Sequence, residues 1–242
     1  MVSVDTVYQR VLALANKEQR GYITPQEFNL LANQAQMGIF EEYFHHLNQY
    51  LRTPGNNSGY ADSMDYIEDK LGRFHKIGVT LSPDPRANGT IILPKELYRL
   101  TGVSIQNSNG VQVCEQTTVK KWRLRQKATF SAQSLNEHPT YVRVDSGLDG
   151  EAILVYSGSS IWPNSVKIDG IRKPNKVEWD YVVVNEKALY NANGSSNFDL
   201  HPSEETTLVY KILELSGIVI NKPGIQSIGK GEVAEQNVTE KS

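Results

Sequence analysis

Apolar residues recur at helical spacing through the first third of the chain. Val4, Val7, Val11, Leu12 and Leu14 predict an amphipathic helix over Ser3–Asn16, capped by Ser3 or Asp5. The second helix has a stronger start signal. Thr24 precedes Pro25, and Glu27 stands at the capping-box position three residues on. Phe28, Leu31, Ala35, Ile39, Tyr43 and Leu47 then form one i, i+3/i+4 ladder that predicts a long helix over about 26–51. Thr53-Pro54-Gly55-Asn56-Asn57-Ser58-Gly59 ends it with both helix breakers. A third helix, about 63–74, carries Met64, Ile67 and Leu71 on one face.

The period changes after residue 75. Short β-branched or aromatic runs at 111–115, 119–125, 140–145, 151–156, 165–171 and 177–184 predict strands. Asn88-Gly89, Asn109-Gly110 and Asp149-Gly150 punctuate them, as tight hairpin turns need residues that accept positive φ. Strands this close, without helices between them, imply antiparallel pairing rather than a βαβ sheet. Beyond Asn191, Pro202-Ser203-Glu204-Glu205 opens a last helix, capped by Ser203, with acids in its first turn. Leu208, Ile212 and Leu215 form its apolar stripe and Gly217 its C-terminal cap.

The chain is therefore expected to be α+β. A helical module over 1–75 precedes an antiparallel β-sandwich or barrel over 76–190. A linker and C-terminal helix over 191–220 follow, and 221–242 is a tail that only a partner would order.

Composition narrows the function classes. The 242 residues carry 25 Lys+Arg against 27 Asp+Glu, a net charge of −2, which excludes a strongly basic nucleic-acid coat but not a local basic patch. The longest apolar runs fall far short of the roughly 20 residues of a membrane helix, and the start of the chain carries no secretory pattern. A single cysteine, Cys114, excludes a disulfide framework within the chain. The expectation is a soluble chain that functions inside a cell or is assembled there.

Catalytic patterns are missing. There is no GxxxxGK[ST], GxGxxG or GxSxG, and His45 and His46 are neighbours on a helix, about 100° apart, not a metal-binding pair. Glu41 and Glu42 are likewise adjacent and cannot flank one substrate bond. Asn16–Glu27 overlays a calcium loop at Gly21, Ile23 and Glu27, but Arg20 stands where the ion needs an oxygen. No enzyme, metal or cofactor is expected. Lys120, Lys121, Arg123, Arg125 and Lys127, with Trp122 among them, predict a basic strand that faces nucleic acid, an acidic partner or simply solvent. Trp122, Trp162 and Trp179 are candidate stacking platforms, Trp162 the most exposed of them in expectation.

Two segments carry a family likeness. One runs from Gly21-Tyr22-Ile23-Thr24-Pro25-Gln26-Glu27-Phe28-Asn29 through Gln34-Ala35-Gln36 to Phe40-Glu41-Glu42-Tyr43-Phe44. The other comprises Trp179-Asp180-Tyr181 to Asn185 and Asn197-Phe198-Asp199-Leu200-His201-Pro202-Ser203-Glu204-Glu205, continuing through Leu208 to Ile218. They resemble virion structural proteins of tailed bacteriophages, including neck or ring proteins of crAss-like and marine podovirus-like phages.

The resemblance implies a homo-oligomeric ring, about twelve copies, between portal and tail, a head-tail connector. Its partners would be identical subunits, the portal and other neck or tail proteins, with DNA passing through the channel unread and no membrane involved. The location would be the virion. On that reading Ile39 and Tyr43 would pack between adjacent subunits, and Leu208, Ile212 and Leu215 would dock on a neighbour or the portal. Lys120, Lys121 and Arg123 would meet partner acids. A minor head or tail component is the nearest alternative. A β-sandwich that recognises carbohydrate or a host surface is the alternative of a different class.

Overall fold

The computed structural model describes residues 1–17, 23–52, 58–85, 89–107, 110–127, 138–145, 150–157, 160–185 and 187–219. The fold is α+β, with antiparallel sheets and a C-terminal helix, as expected. The elements are α1 (Val4–Lys17), α2 (Pro25–Arg52), α3 (Ser58–Gly72), β1 (His75–Leu81), β2 (Ile91–Ile92), β3 (Leu97–Asn107), β4 (Gly110–Val113) and β5 (Glu115–Gln116). They continue with α4 (Val119–Lys127), β6 (Thr140–Asp145), β7 (Glu151–Ser157), β8 (Ser160–Ile161), β9 (Val166–Arg172), β10 (Tyr181–Val184), β11 (Lys187–Tyr190) and α5 (Glu205–Val219). The expected tail, 221–242, and residues 18–22 of the calcium-like loop lie outside the described residues.

Two compact units divide the chain, residues 1–73 with 174–242 and residues 74–173. The expected zones differ from this. The helical unit is completed by chain from beyond the β unit, and the hairpin β10–β11, expected in the β domain, belongs with the helices.

In the helical unit the local start signals act as read. Ser3 Oγ accepts from Thr6 N–H at 3.3 Å. At α2 the capping box closes both ways, with Glu27 N–H donating to Thr24 Oγ1 at 3.3 Å and Thr24 N–H donating to Glu27 Oε2 at 3.0 Å. Asn197, distant in sequence, also accepts from Val4 N–H at 3.0 Å. The start of the last helix differs. A 3-10 turn, Pro202–Glu204, precedes α5, and its cap is the His201 ring, which accepts from Ser203 N–H, rather than Ser203 itself. Gly217 does not end α5, which continues to Val219.

The apolar core of this unit gathers Val7, Tyr8, Phe28, Ile39, Phe40, Phe198, Leu208 and Ile212, all buried. Trp179 is buried among them at 2% exposure. Its ring lies 4.3 Å from that of Tyr8, and its indole N–H donates to Asp5 Oδ1 at 3.0 Å. A buried indole needs such an acceptor.

In the β unit, one sheet has the order β1-β9-β3-β4 and the other β2-β7-β6-β5, with β8 beside β7. All pairings are antiparallel except the two-residue contact of β5 with β6. Val103, Ile105, Val166 and Ile168 of the first sheet share one buried cluster with Ile91, Tyr141, Ile153 and Val155 of the second. The two sheets thus form a sandwich around one core. Gly110, at φ 104°, pairs with Asn107 at the end of the β3–β4 hairpin, so it begins β4 rather than standing at a central turn position as the Asn109-Gly110 signal anticipated.

A further sequence expectation is corrected. Residues 119–125 form helix α4, not a basic strand. Thr118 caps it, its hydroxyl accepting from Lys121 N–H at 3.3 Å and its carbonyl from Trp122 N–H at 2.9 Å. The segment VKKWRLRQK holds a single β-branched residue and is rich in Lys, Arg, Leu and Gln, which favour helix. The residues 177–179 expected at the head of a strand are extended but lie on α2, and only Tyr181–Val184 pairs as strand.

Candidate interaction surfaces

Helix α2 holds an extended return segment with side-chain amides. Asn29, Asn33 and Gln36 are spaced four and three residues apart, so they share one face. Asn33 Nδ2 donates to the Val177 carbonyl at 2.8 Å, and Val177 N–H donates to Asn33 Oδ1 at 2.9 Å. Asn29 does the same for Trp179, at 3.2 and 2.8 Å. Gln36 Nε2 donates to the Asn175 carbonyl at 2.8 Å, and its Oε1 accepts from Asp199 N–H at 2.9 Å. Asp199 Oδ2 in turn accepts from Asn175 N–H at 2.8 Å.

The match is geometric. One helical turn rises 5.4 Å, and alternate residues of an extended chain are about 6.7 Å apart, so each amide meets every second residue. The amides serve one edge of this segment; on its other edge Glu178 exchanges backbone hydrogen bonds with Ser196, at 3.2 and 2.7 Å. Sequence reasoning noted Asn29 and Gln36 only as part of a likeness, and Asn33 not at all. The available signal was three amides on one face of an otherwise apolar ladder.

The residues expected to contact other subunits fall into two groups. Ile39 and Tyr43 are 2% and 4% exposed, and Leu208 and Ile212 are fully covered. Leu215 is half-buried. α2 packs on α5, so the two stripes cover each other inside the unit. They hold the unit together and offer little to a neighbour. At the edge of this contact Lys211 pairs with Glu42. Beneath it, Lys70 and Glu204, each almost fully buried, form an ion pair at 2.6 Å. The Lys70 ammonium also lies 4.2 Å from the centre of the Tyr66 ring.

Lys120, Lys121 and Arg123 are all exposed on α4. Trp122 points the other way and stacks on Tyr156 of β7, ring centres 4.0 Å apart. That contact fixes the helix to the outer face of the second sheet and leaves the cations in water. Burial pushes the Tyr156 hydroxyl up from its usual range, and the nearby Arg123 charge pulls it back in part.

The tryptophans offer little open platform. Trp179 is core, Trp122 has one face taken by Tyr156, and Trp162 packs half-buried against the sandwich core with its N–H on the Ser165 carbonyl at 3.3 Å.

Among the described residues no three His, Cys, Asp or Glu side chains converge as a metal site. Glu27, at the end of the calcium-like loop, is engaged by the Thr24 N–H and hydroxyl, which hold its carboxyl below the usual range. Cys114 is buried, and burial pushes its thiol up to about 12. An open groove of about 540 Å³ in the β unit is lined by Leu93, Lys95, Tyr98, Glu151 and Lys173, among others. No described helix is long and apolar enough to cross a membrane.

Several apolar strand residues stay uncovered. On the hairpin β10–β11, Val182, Val183, Val184 and Leu189 are 54%, 63%, 46% and 52% exposed. On β4, Val111 and Val113 are 60% and 76% exposed. Periodicity alone did not single out these positions, because strand alternation says that one face is covered without saying which residues the fold leaves out. No protein-family model matches the chain, and no curated protein matches it.

Proposed function

We propose that this chain is a structural virion protein of a tailed bacteriophage, forming a homo-oligomeric ring in the neck between portal and tail. One observation carries the reading. The two segments that resemble phage neck proteins lie about 150 residues apart, yet they interlock in one structural unit. Asn29 and Gln36 of the first grip Trp179 and Asp199 of the second. The likeness therefore falls on parts of one packed unit that touch each other.

The rest of the molecule suits an assembly role. The buried Gln36, Asp199 and Ser216 make internal hydrogen bonds, while apolar strand residues and a basic helix are among the exposed features. Such features bind other macromolecules.

Quantitative mass spectrometry of purified particles tests the proposal. A copy number equal to that of the portal is expected. Presence at a clearly different copy number would move the chain to a minor head or tail role, against the neck-ring reading. Absence from particles would refute the virion reading altogether.

A further inference from the structure

The near-zero net charge conceals a separation. Residues 74–173 carry 13 Lys+Arg against 8 Asp+Glu, net +5, while the other unit carries 12 against 19, net −7. Each unit also bears an uncovered apolar β edge, and on the basic unit Ile77 of β1 is exposed as well.

On the acidic unit that edge is the hairpin. Among the described strands, β10 and β11 pair only with each other. Tyr181 and Tyr190, opposite each other at its base, rest against Trp179 with ring centres 5.7 and 5.9 Å away. Farther out, Val182 faces Leu189 and Val183 faces Ala188, so apolar side chains stand on both faces. A lone two-stranded hairpin is marginally stable, and unpaired edges template further pairing. Edge strands are usually blunted by charge or proline, and Tyr181-Val182-Val183-Val184 has neither.

On the basic unit the edge is β4, last in its sheet. The positions that share its outer face on the neighbouring strands are Ser104, Gln106, Lys167 and Thr80. That face is polar until β4, where Val111 and Val113 replace the polar side chains at the free edge. The apolar pair is thus confined to the strand that another strand can join.

We propose that the occupant of these edges is a second copy of this chain, the β10–β11 hairpin of one copy adding to the β4 edge of the next. Charge selects this head-to-tail arrangement. Hairpin against β4 brings a −7 unit to a +5 unit, whereas hairpin against hairpin or β4 against β4 opposes like charges. A contact between two different surfaces repeats from copy to copy, and it closes into a ring when the rotation allows. Ring closure rests on the function proposed above; the contact itself does not.

The experiment uses the purified full-length chain and two double variants, V182E/L189E in the hairpin and V111K/V113K on β4. Each substitution keeps the sign of its unit, so only the apolar pairing is removed. Sedimentation velocity over a concentration series should show the unaltered chain associating, less so at high salt. Each variant alone should sediment as a monomer. An equimolar mixture of the two should give a dimer and nothing larger, because one intact hairpin and one intact β4 edge remain. Unchanged near-UV circular dichroism and melting verify folding, and V182E and V113K serve as milder forms. A monomeric unaltered chain, or either double variant that still self-associates, would overturn the proposal. Particle copy number decides the neck reading separately, so the two can fail independently.

Discussion

Replacing Asn33 with alanine removes both hydrogen bonds that hold Val177, at 2.8 and 2.9 Å, from a residue only 2% exposed. The Val177 N–H and carbonyl are then left buried without their partner. Each unsatisfied group costs about 1–3 kcal/mol, so the pair costs about 2–6 kcal/mol. Alanine returns about 0.5 kcal/mol through its better helix propensity. The expected net loss is thus about 2–5 kcal/mol, which lowers the melting temperature by about 5–15 °C for a chain of this size. Urea and thermal unfolding followed by far-UV circular dichroism measure it. Leu30→Ala on the same helix is the control, because Leu30 is 74% exposed and its truncation should change stability by about 0.5 kcal/mol or less. Asn33→Asp should not rescue, since it keeps an acceptor for Val177 N–H but sets a carboxylate against the Val177 carbonyl. If Asn33→Ala costs no more than Leu30→Ala, the amide ladder is not what holds the return segment.

Breaking the buried Lys70–Glu204 pair with Lys70→Met should cost about 3–5 kcal/mol in urea unfolding, while Lys70→Met with Glu204→Leu should recover most of the loss, because the isolated buried carboxylate is then gone. A double variant as unstable as the single would refute that account. Cys114 should resist a thiol reagent at pH 8 in the folded chain and react fully in urea, since its thiol is buried and pushed up to about 12. The same shift predicts a stability trend in alkali. The folded thiol keeps its proton while the unfolded one, with an ordinary value of 9.0, loses it. This contribution is complete below pH 9 and declines as the pH rises towards 12; Cys114→Ala should flatten that part of the pH profile, and an unchanged slope would count against it.

Much of the helical unit was legible because its signals are local. The capping box at Thr24–Glu27 and the ladder from Phe28 to Leu47 needed only neighbouring residues, and α2 spans Pro25–Arg52 close to the expected 26–51. The strands at 140–145, 151–157 and 166–172 followed from β-branched runs between turn residues. β3 was missed because Gly102 and two register shifts interrupt its alternation. α4 was misread because Val119–Arg125 alternates for a few residues, and so short a run satisfies both periods.

By itself the sequence determined which faces are apolar, where helices start, and that the chain would be α+β. Only the tertiary structure decided what covers each face. Ile39 and Tyr43 look like an interface stripe until α5 is laid on α2, and then they are core. Val177 and Trp179 look like strand residues until two amides of α2, Asn33 and Asn29, take the place of a strand along their edge. Val182, Leu189, Val111 and Val113 look like ordinary strand residues until the fold leaves them in water. The reason is physical: periodicity records that a side chain wants cover, whereas the identity of the cover depends on segments more than a hundred residues away.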